Sequence, residues 1–225
     1  MPRTRRLLPV PGALHIMCRG NNKQIVFRSS EDKLKYYSLL FDLKAENCVG
    51  ILHYCLMDNH LHLIVWVHEG SRLARFMLQV NLGYFFYFKR KYCYDGHFWQ
   101  NRYRSNLIEE DSYLIQCGKY IELNPVRAHM VTMPEEYKFS SYSHYAFGKE
   151  DKIIMDSFAY VALSQNIESR KQLYRSFVID ELLINGLWIE RMRYIGSEAF
   201  VVKMQEYFQM KNTNLKRGRP RKTEK

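Results

Sequence analysis

The feature that most constrains the fold is a pair of apolar, β-rich runs, Val49 to Leu56 and His60 to Val67, separated only by Met57-Asp58-Asn59. Aspartate and asparagine suit a tight bend, so the runs are expected to pair as a β-hairpin with Asp58-Asn59 at its turn. Leu14 to Cys18 reads as a further strand, ending in the turn signal Arg19-Gly20-Asn21-Asn22, and Phe98 to Ile108 reads as extended chain. Helices are expected from the cap Ser30 to Glu46, with Leu34, Tyr37, Leu40 and Leu43 on one face, and from Ser71 to about Lys91. A third is expected from the cap Asp111 to Asn124, before Pro125. The order β, α, β, β, α, β, α suits an α+β fold, a ferredoxin-like antiparallel sheet carrying helices on one face. From Glu135 the pattern turns to short helices, among them Asp156 to Leu163, Ser169 to Leu183 and Ser197 to Met210, with no strong strand. The expected organisation is a basic arm over 1–13, the α+β core over 14–134, a small helical extension over 135–210 and a disordered basic tail over 211–225.

Composition limits the function classes. A chain of 225 residues that is 47% hydrophobic and 15% aromatic is too apolar for disorder and long enough to bury a sizeable core. No apolar run approaches the ~20 residues of a membrane span, so a soluble cytoplasmic protein is expected. The five cysteines are odd in number and scattered, without a C-x-x-C pair, which points to reduced thiols and no zinc finger. The net charge is +11. Residues 211–225 supply +6 of it and Arg3, Arg5 and Arg6 supply +3, leaving +2 for everything between. Charge gathered in two tails, with a local island from Lys89 to Arg104, points to a nucleic-acid partner.

Four groups of residues are candidates for chemistry. His60-Leu61-His62 places two imidazoles on one strand face about 7 Å apart, where they can share a divalent metal with a third ligand from elsewhere. The same pattern also describes a half-buried strand that simply carries two polar residues. A histidine-triad hydrolase needs a third histidine where this chain has Ile64. Tyr120 and Asn124 stand four apart and share a helix face, which can set a hydroxyl nucleophile beside an amide ligand, although most of the 17 tyrosines must serve packing. The stretch His97 to Arg104 interleaves aromatics and cations as single-strand binding surfaces do, and as cross-strand aromatic clusters also do. Arg217-Gly218-Arg219-Pro220-Arg221 is similar to the AT-hook core, which lies along an A·T minor groove, but also to a nonspecific basic tail.

Taken in order, four segments resemble the REP-associated tyrosine transposases, a branch of the single-tyrosine HUH superfamily. They are Leu14-His15-Ile16-Met17-Cys18-Arg19-Gly20-Asn21-Asn22; Tyr54 through His60-Leu61-His62 to Ile64; Phe98-Trp99-Gln100-Asn101-Arg102-Tyr103; and Lys119-Tyr120-Ile121-Glu122-Leu123-Asn124-Pro125-Val126-Arg127-Ala128. The resemblance covers residues 14 to about 145. It implies magnesium or manganese held by His60, His62 and Asn124, with Tyr120 as the nucleophile. It further implies nicking and rejoining of single-stranded or hairpin DNA, from repetitive extragenic palindromes, through a 5′-phosphotyrosine in a bacterial, nucleoid-associated protein. Expected DNA contacts are Arg19, Asn21, Trp99, Gln100, Arg102 and Arg104, together with the tail residues Arg217, Arg219 and Arg221. Lys119 and Arg127 are the cations expected near Tyr120 and the DNA. His129-Met130 stands where the family usually has Gly-Leu, and Gly118 is expected to loosen the catalytic helix. Monomer and dimer are both open, and a palindrome-binding protein that no longer cuts is the alternative.

Overall fold

Strand β1 (Gly12–Arg19) is followed by helix α1 (Ser30–Lys44), the hairpin β2 (Val49–Leu56) and β3 (His60–Val67), helix α2 (Gly70–Tyr92) and strand β4 (Arg104–Ile108). The computed structural model describes residues 11–110, 112–180 and 192–209. Helix α3 (Ser112–Glu122) and the single turn α4 (Asn124–Arg127) come next. Then follow α5 (Tyr142–Phe147), α6 (Phe158–Val161), α7 (Ile167–Asp180), the two-residue strand β5 (Tyr194–Ile195) and α8 (Glu198–Phe208). The sheet order is β2-β3-β1-β4-β5, with every pairing antiparallel except β4 with β5. The sheet is therefore mixed, and the first four strands keep the ferredoxin-like order.

Helices cover both faces of the sheet, not one. On the first face Leu14, Ile16, Leu61, Leu63 and Val65 pack with Tyr36 and Leu40 of α1 and with Phe76, Val80 and Tyr84 of α2. On the second, Ala13, Leu52, Cys55 and Ile64 pack with Leu114, Cys117 and Ile121 of α3. Two-sided burial follows from the sequences of β1 and β3, which are apolar at consecutive positions and so need a cover on each face. Behind α3, Ile115 and Leu123 join Tyr142, Tyr145, Tyr160 and Tyr174 in a third cluster, so α5 to α7 back the helix that carries Tyr120. The segment beyond Glu135 also contributes β5 to the sheet, a strand too short to be visible in the sequence.

Helix α1 is capped by Ser29 rather than Ser30, in a capping box with Asp32. Its buried face is Asp32, Lys33, Tyr36 and Leu40, while Leu34 is exposed. Of the expected apolar face, Leu40 is buried and Tyr37 and Leu43 pack against the core, while at the helix start the buried positions are polar: Asp32 accepts hydrogen bonds from Lys91, Tyr87 and Tyr92, and Lys33 bonds to Asp58 and Tyr137. The expected cap Asp111, residues 181–191 and the basic tail lie outside the described residues. Among the described residues no helix is long and apolar enough to cross a membrane.

Candidate functional site

The register of the central strands builds one polar patch on the face covered by α3. Arg19 lies opposite His60, Met17 opposite His62, and His15 opposite Ile64; across β1, Arg104 pairs with Met17 and Asn106 with His15. Alternation then sends His15, Arg19, His60, His62, Arg104 and Asn106 to the same face. The His60 and His62 rings stand 4.9 Å apart edge to face, and the Tyr120 ring reaches 6.4 Å from His62. The strand pair and the helical tyrosine expected from the sequence are thus brought together.

Both imidazoles have Nδ1 engaged. His60 Nδ1 lies 2.5 Å from Asn59 Oδ1, an atom that can only accept, so His60 carries its proton on Nδ1 and its lone pair on Nε2. Asn59 is oriented in turn by donation of its amide to the Lys23 carbonyl at 3.5 Å. His62 Nδ1 lies 2.8 Å from His15 Nε2, with the two rings edge to edge and nearly coplanar. Burial pushes the His60 imidazole down to about 4, helped by the positive charge of Arg19. Burial and the neighbouring imidazoles hold His62 well below the ordinary histidine range. Both rings are neutral at pH 7, the form in which imidazole donates to a metal. Among the described residues no three His, Cys, Asp or Glu side chains form a metal-binding group. The Asn124 amide, expected from the sequence as third ligand, donates from Nδ2 to the Tyr120 and Ile121 carbonyls, which leaves its Oδ1 as acceptor. Two neutral imidazoles and an amide oxygen suit a divalent ion that keeps further positions for phosphate oxygens.

The chain does not stop its helical path at Asn124. Proline is tolerated in a first turn, and Arg127 N–H bonds to the Leu123 carbonyl, so α4 continues the turn beyond Pro125. That extra turn carries Arg127 back over the nucleophile candidate. Its guanidinium lies 4.9 Å from the Tyr120 ring centroid, and its Nη1 donates to the Tyr120 carbonyl at 3.0 Å. Arg127 therefore holds the ring and the backbone of Tyr120 together.

Gly118 does not loosen α3; it admits His53. A Cβ at Gly118 would come within 2.7 Å of both ring nitrogens of His53. The β-bulge between Ile51 and His53 turns this imidazole toward α3, where its Nδ1 lies 3.0 Å from Glu122 Oε1. Glu122 also accepts from Ser141 Oγ at 2.5 Å and from the Tyr174 hydroxyl at 2.7 Å, and it is fully buried. This carboxylate ties α3 to β2, to the start of α5 and to α7, two residues from Tyr120. Sequence reasoning missed His15, His53 and Glu122. The available signal was a histidine inside each apolar β run, since His15, His53 and His62 are all buried.

The expected DNA contacts divide. Arg19, Asn21, Gln100, Arg102 and Arg104 gather at the His60 end of the sheet, where the 19–24 and 97–100 segments are laced together by Gln100 N–H to the Arg19 carbonyl and Asn21 N–H to the Phe98 carbonyl. Gly20 permits the tight turn through residues 20–24, because a Cβ there would strike the Gln24 carbonyl. Trp99 is turned to the opposite side. It is half-buried against Tyr36, Tyr84 and Phe98, and its indole N–H donates to the Asn81 carbonyl at 3.3 Å. Trp99→Ala is expected to destabilise the fold by about 2 kcal/mol, below the ~3–5 of a fully buried aromatic. Chemical denaturation checks this, and weaker single-strand binding at unchanged stability would restore Trp99 as a DNA contact. Lys119 also faces away, buried with its ammonium 3.6 Å from the Phe177 ring centroid. Arg217, Arg219 and Arg221 lie outside the described residues.

No curated protein matches the chain in sequence. A solved structure of a REP-associated tyrosine transposase bound to a REP hairpin superposes with a TM-score of 0.52 at 20% identity, over 69% of this chain and 92% of that one. At that identity the likeness establishes the α+β fold. The family model for IS200-like transposases matches residues 12–124, from the first residue of β1 to the first of α4 and over half of the chain. The span contains His60, His62, Tyr120 and Asn124, and the chain belongs to the IS200-like transposase family.

Proposed function

We propose that the protein is a metal-dependent nickase and strand transferase for single-stranded or hairpin DNA, of the kind extruded from repetitive extragenic palindromes, acting through a 5′-phosphotyrosine at Tyr120. The observation that carries this reading is the approach of the Tyr120 ring to 6.4 Å from His62, beside the His60–His62 pair. His60, His62 and Asn124 would hold magnesium or manganese, which when bound polarises the scissile phosphate and offsets its developing charge. Tyr120 Oη attacks phosphorus in line, the bond from phosphorus to the 3′-oxygen breaks, and that oxygen leaves as a free 3′-hydroxyl. A second 3′-hydroxyl then attacks the phosphotyrosine and releases Tyr120, so strands are rejoined without ATP. Arg127 keeps the attacking ring in place, and Arg19, Asn21, Gln100, Arg102 and Arg104 line the approach for the strand. Substrate enters unpaired, because the phosphate must reach the site with its flanking bases unstacked.

Metal dependence is tested with an end-labelled hairpin oligonucleotide. Cutting should vanish with chelator and return with magnesium or manganese, and His60→Ala should retain hairpin binding without cutting. Undiminished cutting after exhaustive chelation would remove the metal from the reading. The tail acts separately: deleting residues 211–225, with seven Lys and Arg, should flatten the salt dependence of duplex binding by about 0.9 for each phosphate that the tail neutralises. Cutting of a short single-stranded substrate should stay unchanged, and its loss would assign the tail to the active site.

A further inference from the structure

We propose that His15 is a positioning residue for the metal site: it accepts the Nδ1 proton of His62 and so holds that imidazole in the tautomer whose Nε2 lone pair serves the ion. The proposal rests on the metal-dependent reading above.

The placement is dictated by the sheet. His15 and His62 are diagonal neighbours on antiparallel β1 and β3, since His15 faces Ile64 and His62 faces Met17, so both project to the face under α3. Their rings lie nearly in one plane, 11° apart with centroids 5.1 Å from each other, and meet edge to edge with Nε2 of His15 2.8 Å from Nδ1 of His62. Both residues are buried, with His15 1% exposed.

Two neutral imidazoles sharing one N–H···N bond have two arrangements. In one, His62 donates from Nδ1 and keeps its lone pair on Nε2. In the other, His15 donates from Nε2, and His62 then carries its proton on Nε2, where a metal needs the lone pair. Because each neutral ring holds one proton, the two tautomers change together, and a cation on His62 selects the first arrangement. His15 Nδ1 then carries the proton; among the described residues that atom has no hydrogen-bond partner. His15 Nε2, 2.8 Å away, gives the His62 Nδ1 proton its acceptor and so stabilises the arrangement in which His62 Nε2 can serve an ion. His60 is fixed in the equivalent way by Asn59 Oδ1. Neighbours of this kind orient a ligand and tune its basicity, and their loss typically costs 10–100-fold in metal affinity.

The test uses the full chain, with Mn²⁺ binding followed by loss of the free-ion EPR signal. His15→Phe keeps a flat aromatic ring and removes the acceptor; it should bind Mn²⁺ about 10–100-fold more weakly. Its hairpin affinity in chelator should match that of the unmodified protein. His15→Gln, whose Oε1 can replace the acceptor, should recover most of the loss. Independently, long-range ¹H–¹⁵N spectra of the unmodified protein with saturating Mg²⁺ should show both His15 and His62 protonated on Nδ1. Unchanged Mn²⁺ affinity in His15→Phe, or a His62 proton on Nε2 at saturation, would overturn the proposal while leaving metal dependence standing. If the unmodified protein binds Mn²⁺ no better than His60→Ala, the metal reading itself fails and His15 has no ligand to position. Should His15→Phe not fold, the Mg²⁺ spectra decide alone.

Discussion

Tyr120→Phe is expected to abolish strand cleavage and rejoining while leaving the protein folded and bound to hairpin DNA. The substitution removes one oxygen and keeps the ring, so the packing of Tyr120 under the Arg127 guanidinium and the Arg127 bond to its backbone carbonyl both survive. Stability and hairpin affinity should each change by less than ~1 kcal/mol. Cleavage should fall by roughly 10⁴-fold or more, the scale on which loss of a covalent nucleophile is felt. The decisive measurement is the covalent adduct, trapped on a denaturing gel with an end-labelled oligonucleotide and located by mass spectrometry of the digested protein. An adduct on Tyr113, two helical turns earlier in α3, would keep the reaction and reassign the nucleophile. The absence of any adduct under every metal, with tight hairpin binding intact, would make the chain a palindrome-binding protein that does not cut.

The hairpin and its histidine pair were legible because they depend on local pattern: strand composition, bend residues and the two-residue period that aligns His60 with His62. The position of α3 was not. A reading by periodicity placed all helices on one face, whereas β1 and β3 are apolar on consecutive positions and require cover on both. Spacing alone puts Leu34 in the core with Tyr37, Leu40 and Leu43, which do pack there, but at the first turn the buried positions go to Asp32 and Lys33 with their polar contacts and Leu34 is exposed. Trp99 and Lys119 read as DNA contacts because sequence shows residue type but not direction; in the fold one lies against α1 and α2 and the other under α7. Glu122 looked like any helix carboxylate, since its partners His53, Ser141 and Tyr174 are far away in sequence and meet only in the folded chain.

Glu122→Ala should therefore be the most destabilising single change near the site. It removes the shared acceptor of three buried groups: the Ser141 and Tyr174 hydroxyls and the His53 imidazole. Deleting one partner of such a buried set costs about 3–5 kcal/mol, because the others remain desolvated without compensation. For a chain of this length that corresponds to a drop in Tm of roughly 10 °C. Glu122→Gln keeps the shape and one acceptor oxygen, and should cost markedly less. Gly118→Ala attacks the same device from the other side. Its Cβ drives His53 off the carboxylate, an overpacking expected to cost about 1–3 kcal/mol. If both changes act through one network, the double substitution Gly118→Ala/Glu122→Ala will be less destabilising than the two separate costs added, since the hydrogen bond between His53 and Glu122 can be broken only once. Full additivity in a double-mutant cycle would mean that Gly118 and Glu122 serve α3 independently, and a loss below ~1 kcal/mol for Glu122→Ala would remove the carboxylate as the anchor of the helix that carries Tyr120.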